Sequence, residues 1–343
     1  MVTSPASDPA YRTAVTNQLA SLVANSRALL IEVDPAVSDL IDAAVRFTAG
    51  GKMLRPTFCH AGWLIAGGEN AAAPIAAAGA AFEWLQASAL VHDDLMDGSD
   101  TRRGRPSVHR DFEARHRAAG SSGDPVLFGS RVAIVLGDLL LSWADEQFRS
   151  AEPDARTAKL WDACKSEVAS GQFLDVLAQT KANLSTESAR HVVRFKTTKY
   201  TVERPLHVGA ALAGAPDSTL IALSKVALPL GEAFQLRDDV LGVFGDPADT
   251  GKPAGDDLRE GKRTTLIART AESCGDEQVL ALLGTEAGVE ELRDLIVSTG
   301  ALAAVEKDID LLTERTQEAI DEMGPVAKSI LGPLAAAAIR RVR

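Results

Sequence analysis

Aromatic residues make up only 5% of this 343-residue chain, and cysteine occurs three times, at Cys59, Cys164 and Cys274. The three cysteines are far apart and form no CxxC pair, which excludes a zinc ribbon and a disulfide framework and points to buried thiols in a reducing compartment. Excess positive charge is also missing. The formal net charge of −11 argues against non-specific nucleic-acid binding but not against phosphate ligands, which need only local Lys and Arg. No stretch alternates apolar and polar residues for longer than four positions, so strands of ordinary length are not expected. The longest weakly polar run, residues 71–90, holds Pro74, Glu83 and Gln86 and is mostly alanine, too polar for a membrane span. The first ten residues are polar and carry no signal-peptide pattern. These absences place the chain in the cytoplasm.

What remains is helical. Hydrophobic residues are 46% and charged residues 24%, the balance of a globular protein with an ample core. A 3.6-residue period predicts helices near 8–32, 35–49, 57–67, 72–97, 107–117, 130–150, 155–182, 187–214, 216–244, 263–273 and 288–341. The last is broken at Thr299-Gly300 and at Gly324-Pro325. The expectation is an all-α orthogonal bundle, a single domain over residues 1–343 around a central cavity. Residues 1–10 are expected to be flexible and 118–128 to form a surface loop. The alanine-rich stretch 71–81 reads as a cavity wall or a subunit contact.

Two acidic clusters interrupt this apolar pattern. The first is Asp93-Asp94-Leu95-Met96-Asp97, followed by Arg102-Arg103-Gly104; the second is Asp238-Asp239, with Gln235 three residues before it and Asp246 after. Acids at i and i+4 share one helical face about one turn apart. Their flanks are apolar (Leu90, Val91, Leu95; Phe234, Leu236, Val240), which a merely solvated helix face would not need. Carboxylates this close repel unless a divalent ion neutralises them, and oxygen-only ligands suit Mg²⁺ or Mn²⁺. Mg²⁺ favours one or two carboxylates plus phosphate oxygens, so the expected ligand is a diphosphate bridged by metal ions between two acidic helices.

Basic elements alternate with the acids. Gly50-Gly51-Lys52-Met53-Leu54-Arg55-Pro56 links two helices, with paired glycines that free the backbone and two cations that can converge on an anion. A simple helix C-cap would read the same way. Lys196 and Lys199 lie in a β-branched stretch, Thr197-Thr198 to Thr201-Val202, where a kink exposing carbonyls is expected. Lys252 and Lys262 flank Asp256-Asp257 in a glycine-rich loop. Four basic elements and two acidic ones suggest two diphosphates, one bound through metal and one held by Lys and Arg alone.

Five segments in this order, GGKMLRP (50–56), LVHDDLMDGSDTRRGRP (90–106), GQFLDV (171–176), FKTTKY (195–200) and FQLRDDVLGVFGDPADTGKPAGDDLREGKRT (234–264), together resemble the trans-isoprenyl diphosphate synthases of the polyprenyl synthetase family. The actinobacterial short-chain enzymes are the nearest in pattern. The resemblance implies an isoprenoid-synthase fold and a homodimer. It also implies Mg²⁺-dependent head-to-tail condensation of isopentenyl diphosphate with dimethylallyl, geranyl or farnesyl diphosphate. By the same resemblance Asp93, Asp97 and Asp238, with Asp94 and Asp239 beside them, attend three Mg²⁺, for which Mn²⁺ can substitute. Arg102, Lys196, Lys252 and Lys262 would clamp the allylic diphosphate, and Lys52, Arg55 and Arg103 would hold isopentenyl diphosphate. Gln86 stands where many members carry His, and Thr197 and Gln235 would stabilise the allylic cation. Gly242 departs from members with a third Asp.

Product length should follow the residues upstream of Asp93 on its helix. One isoprene unit is about 5 Å long, close to one helical turn. Ser88 and Ala89 are small, while Leu85, Trp84 and Phe82 lie one or two turns further back as a floor. That favours a C20 over a C15 product, and Ser88→Phe is expected to shorten it. Simple helix packing would account equally for Trp84 and Phe82. A metal-dependent terpene cyclase would have no reason to keep Lys52, Arg55 and Arg103, and a non-catalytic subunit would have lost one acid pair.

Overall fold

The computed structural model describes residues 8–70, 72–246 and 254–339. Among these the chain is helical apart from one two-residue hairpin. The described residues form two compact units: one is 8–60 with Glu69–Asp154, the other Ala61–Gly68 with those from Ala155 onward.

The first unit contains α1 (Pro9–Val33), α2 (Ser38–Thr48), the start of α3 (Leu54–Ile65), α4 (Ala73–Met96), α5 (Val108–Ala118) and α6 (Pro125–Arg149). Asp8 caps α1 by accepting from Ala10 N, with Pro9 at the first helical position, so ordered helix begins inside the segment expected to be flexible. Residues 1–7 lie outside the described residues. The loop expected over 118–128 is shorter, because α5 runs through Ala118 and Asp124 caps α6, accepting from Val126 N at 2.8 Å. Helix α4 packs between α1 and α6. Its alanines are core: Ala76, Ala77, Ala78, Ala80 and Ala81 are buried, and a Cβ on Gly79 would collide with the Tyr11 hydroxyl. The small residues therefore admit α1, and the alternatives of a cavity wall or subunit contact do not hold for this stretch.

The second unit is organised on α10 (Asp217–Phe244), against which pack the π-helical segment Val193–Glu203, α9 (Arg204–Leu212) and the C-terminal helices α15 (Ala301–Glu322) and α16 (Pro325–Ile339). Helices α7 (Ala155–Gln179) and α8 (Thr186–Val192) precede the π segment, and α11 (Asp256–Arg259), α12 (Thr265–Cys274), α13 (Asp276–Leu282) and α14 (Val289–Ser298) follow α10. The kink expected around Lys196 is a widened turn: α8, the π segment and α9 run on without a break. A buried ion network supports it. Glu167 on α7 accepts from Arg204 Nε and Nη2, each at 2.7 Å, and from Lys199. The arginine and lysine bonds hold the Glu167 carboxyl below its ordinary range although burial pushes it up. Gly171 permits the close contact, since a Cβ there would strike the Lys196 backbone.

Candidate active site

In the first unit the acidic cluster ends α4. Most of this helix is buried, and the half-buried positions Gln86, Ala89, Leu90, Asp93 and Asp97 follow the i, i+3, i+4, i+7, i+11 spacing of one helical stripe. Asp94 is not on that stripe. It is 1% exposed and accepts from Arg102 Nε at 2.8 Å and from Arg102 Nη2. The same Nη2 lies 4.0 Å from Asp93 Oδ2. The adjacent acids thus differ in kind: Asp94 anchors Arg102, and Asp93 keeps its carboxylate on the less covered side.

Arg102 and Arg103 are set by a hairpin that no alternation could have announced. Thr101 pairs with Pro106 and Arg102 with Arg105. The two turn residues, Arg103 and Gly104, have φ of 53° and 71°, the left-handed pair of a tight two-residue hairpin. Arg103 Nη1 donates to the carbonyls of Phe47 and Ala49 at 3.4 and 3.2 Å, reaching the Gly50-Gly51 loop. That loop also holds a strained residue, Met53, at φ 52°. Arg12 Nη1 donates to Lys52 O at 3.2 Å, so the loop is tied from α1 as well. Lys52 is exposed and Arg55 half-buried.

In the second unit α10 carries Gln235, Asp238 and Asp239. Gln235 Nε2 donates to Asp239 Oδ1 at 2.8 Å, which leaves its Oε1 as acceptor. Asp238 is half-buried. Asp239 is 3% exposed, and its Oδ2 has no hydrogen-bond partner among the described residues. Burial pushes this carboxyl up to about 7; the Gln235 hydrogen bond and Lys262 oppose that, while Asp257 and Asp238 add to it. Asp257, at the start of α11, is a further acid close to α10. A Cβ on Gly242 would collide with the Asp257 carboxylate, so the glycine is what lets Asp257 approach α10. Gly242→Asp is therefore expected to displace Asp257, lowering turnover about tenfold or more with a smaller loss of thermal stability, read by steady-state kinetics beside a melting curve.

Lys262 Nζ lies 3.3 Å from Asp257 Oδ1 and 2.5 Å from Glu260 Oε2, so its charge is matched inside the loop. Lys252 lies outside the described residues. Lys196 Nζ donates to Asp175 Oδ2 at 2.6 Å, and Thr197 follows it in the π segment, half-buried. Asp175 was missed as a site residue, although Gly171 and Asp175 share a helical face in GQFLDV and could have flagged it.

The chain-length positions do not behave alike. Ser88 is buried, and its Oγ donates to Gly137 O on α6 at 2.8 Å. Trp84 is fully buried edge-on to Trp143, with ring centroids 5.1 Å apart, and Phe82 and Leu85 are core as well. Only Ala89 lies on the stripe with Asp93. The effect expected of Ser88→Phe therefore moves to position 89, because bulk at 88 would separate α4 from α6.

Among the described residues no three His, Cys, Asp or Glu side chains converge as a complete metal site. One or two carboxylates with one uncompensated oxygen suit Mg²⁺, which takes its other ligands from water and phosphate. Taken within its own unit, each pair fits that requirement: Asp93 with Asp97 at the end of α4, and Asp238 with the orphaned Asp239 oxygen on α10.

The polyprenyl synthetase family model matches residues 37–297. A geranylfarnesyl diphosphate synthase of Aeropyrum pernix is 30% identical over 308 residues, 86% of this chain and 92% of that one. A geranylgeranyl diphosphate synthase of Sulfolobus acidocaldarius is 31% identical over 82% of each chain. The crystal structure of geranylgeranyl pyrophosphate synthase from Corynebacterium glutamicum, complexed with isoprenyl diphosphate and magnesium, superposes with a TM-score of 0.91 at 39% identity, covering 97% of this chain and 99% of that one. The all-α architecture is accordingly the isoprenoid-synthase fold, the chemistry is trans-prenyl chain elongation by a transferase, and the chain belongs to the polyprenyl synthetase family.

Proposed function

We propose that this chain condenses isopentenyl diphosphate with allylic diphosphates in the presence of Mg²⁺ and releases an all-trans C20 diphosphate. The observation that carries the two-substrate reading is the basic group of the first unit: Lys52 and Arg55 flank the strained Met53, and Arg103 donates to the Ala49 carbonyl just before that loop. A terpene cyclase, with one diphosphate to hold, would have no use for it. Asp93, Asp97 and Asp238 would hold the metal ions, three in number, with Mn²⁺ able to substitute. Bound metal supplies charge neutralisation on the diphosphate as it departs from carbon. Arg102 and Lys196 add positive charge where the leaving group becomes more anionic, which lowers the barrier only because they gain most in the transition state. The Gln235 and Thr197 oxygens would face the allylic cation, and Gln86 would donate to diphosphate. Lys262 and Lys252 would complete the allylic clamp; Lys262 must first give up its present carboxylate partners.

The C20 preference rests on Ala89, small and half-buried on the stripe that leads to Asp93. Ala89→Phe is expected to shift the main product to C15 or shorter, whereas Ser88→Phe should chiefly lower stability. Chromatography of radiolabelled products, with a melting curve for each variant, separates the two; an unchanged profile for Ala89→Phe overturns the chain-length assignment. C15 synthesis is the alternative, and a C25 product would follow the Aeropyrum relative.

A second copy of this chain is proposed as partner. Helix α6 is long and apolar enough to cross a membrane by length and composition, yet only a third of its most apolar window is buried. Leu127, Ile134 and Leu141 recur at intervals of seven, with Val135 beside them, all exposed. A homodimer would cover that stripe, and a cytoplasmic location is in keeping with it. The family match runs through both units, which supports one catalytic domain. Incubation with isopentenyl diphosphate, each allylic primer in turn and Mg²⁺ tests the whole reading: consumption of isopentenyl diphosphate supports it, and its absence with every primer overturns it.

A further inference from the structure

Glu83 is the one carboxylate in the core of α4 upstream of the acidic cluster, 8% exposed and three turns before Asp93. The cations that act on it are two of the basic group, Arg55 and then Arg103, followed by Arg12 of α1. Burial pushes its carboxyl up, and the three guanidiniums pull it back down. Its Oε2 sits 3.0 Å from where a Cβ on Gly51 would be, and Arg103 Nη2 lies 3.6 Å from the same point. One buried acid thus approaches the glycine loop at the point where the hairpin arginine also arrives, within the field of Arg55 and Arg12.

We infer that Glu83 is a positioning residue for the homoallylic diphosphate site, the counter-charge that lets Arg55 and Arg103 converge before substrate arrives. The inference rests on the reading that Lys52, Arg55 and Arg103 hold isopentenyl diphosphate. Like-charged guanidiniums repel one another, and a carboxylate among them offsets that repulsion. With Glu83 between them the group keeps a net positive charge and a fixed geometry, so binding does not have to assemble the site first. Without the carboxylate, Arg103 can settle on the Phe47 and Ala49 carbonyls it already touches, and Arg55 loses the charge that draws it towards Arg103.

The test is Glu83→Gln, which keeps size and hydrogen-bonding capacity while removing the charge. Varying isopentenyl diphosphate at saturating allylic substrate, and then the reverse, separates the two sites. The expected result is a rise of about tenfold in KM for isopentenyl diphosphate, with KM for the allylic substrate within twofold of wild type and partial recovery in Glu83→Asp. Gly51→Ala provides a second route that leaves the buried core alone: its methyl presses on Glu83 Oε2 and should give the same one-sided rise. Both KM values rising together, or KM for isopentenyl diphosphate staying within twofold in both Glu83→Gln and Gly51→Ala, overturns the inference. A wild type that consumes no isopentenyl diphosphate overturns the functional reading and the inference together. Normal elongation with indifferent variants overturns the inference alone.

Discussion

Asp93→Ala is expected to lower kcat by about a thousandfold while leaving the melting temperature within a degree or two of wild type. Asp93 is on the less covered stripe of α4, its side chain a fifth exposed, so truncating it opens no core cavity. Arg102 keeps its stronger partner, Asp94, and remains in place. On the proposed reading, what is lost is a carboxylate that would bind metal as a diphosphate leaves carbon. A thousandfold loss is about 4 kcal/mol of transition-state stabilisation, the scale on which removal of one electrostatic group acts in a dry site. The requirement for Mg²⁺ should rise in parallel, so the assay is a magnesium titration of initial rates at saturating substrates. Turnover within fivefold of wild type at every magnesium concentration would remove the first acidic cluster from the chemistry.

Asp94→Ala, one residue further along, should do the opposite kind of damage. Asp94 is 1% exposed and Arg102 retains about a fifth of its side-chain exposure, so the substitution leaves a largely buried guanidinium without its counter-charge. Breaking such a pair from one side costs about 3 kcal/mol, at the lower end of the range because water still reaches Arg102. The melting temperature is expected to fall by roughly 5–10 °C. Activity should fall as well, because Arg102 would be free to swing onto Asp93. The double variant Asp94→Leu with Arg102→Met separates the two consequences: apolar replacement of both partners should recover most of the stability and none of the activity. An Asp94→Ala protein that melts with wild type would show that the pair contributes nothing.

The contrast between neighbouring aspartates explains why the site was only partly legible in the sequence. Helical spacing groups Asp93 with Asp97 and with Gln86 and Ala89, and the structure keeps that stripe. Spacing also assigns Asp94 and Asp239 to other faces, but not what those faces meet: Asp94 meets a hairpin arginine, and Asp239 meets Gln235 with Asp257 nearby. Ser88 and Ala89 look interchangeable as small residues. Only the Gly137 carbonyl on α6 shows that one of them is packed. Gly242 reads as a lost ligand until the neighbouring loop is in place, and then it reads as the space an acid from that loop requires. What Asp175, Asp257 and Glu83 act on was hidden for one reason: each meets residues outside its own helix, and periodicity carries no information beyond that helix.

From the order of residues alone followed the helices, the two acid sets, the alternating basic elements and so the class of reaction, because each depends on local spacing and on the chemistry of side chains near one another along the chain. Tertiary structure alone decided which acid anchors and which stays open, where the left-handed Arg103-Gly104 turn puts its cations, and which small residue lies beside Asp93. Those outcomes depend on what packs against each helix face, and burial is a property of the neighbours rather than of the residue.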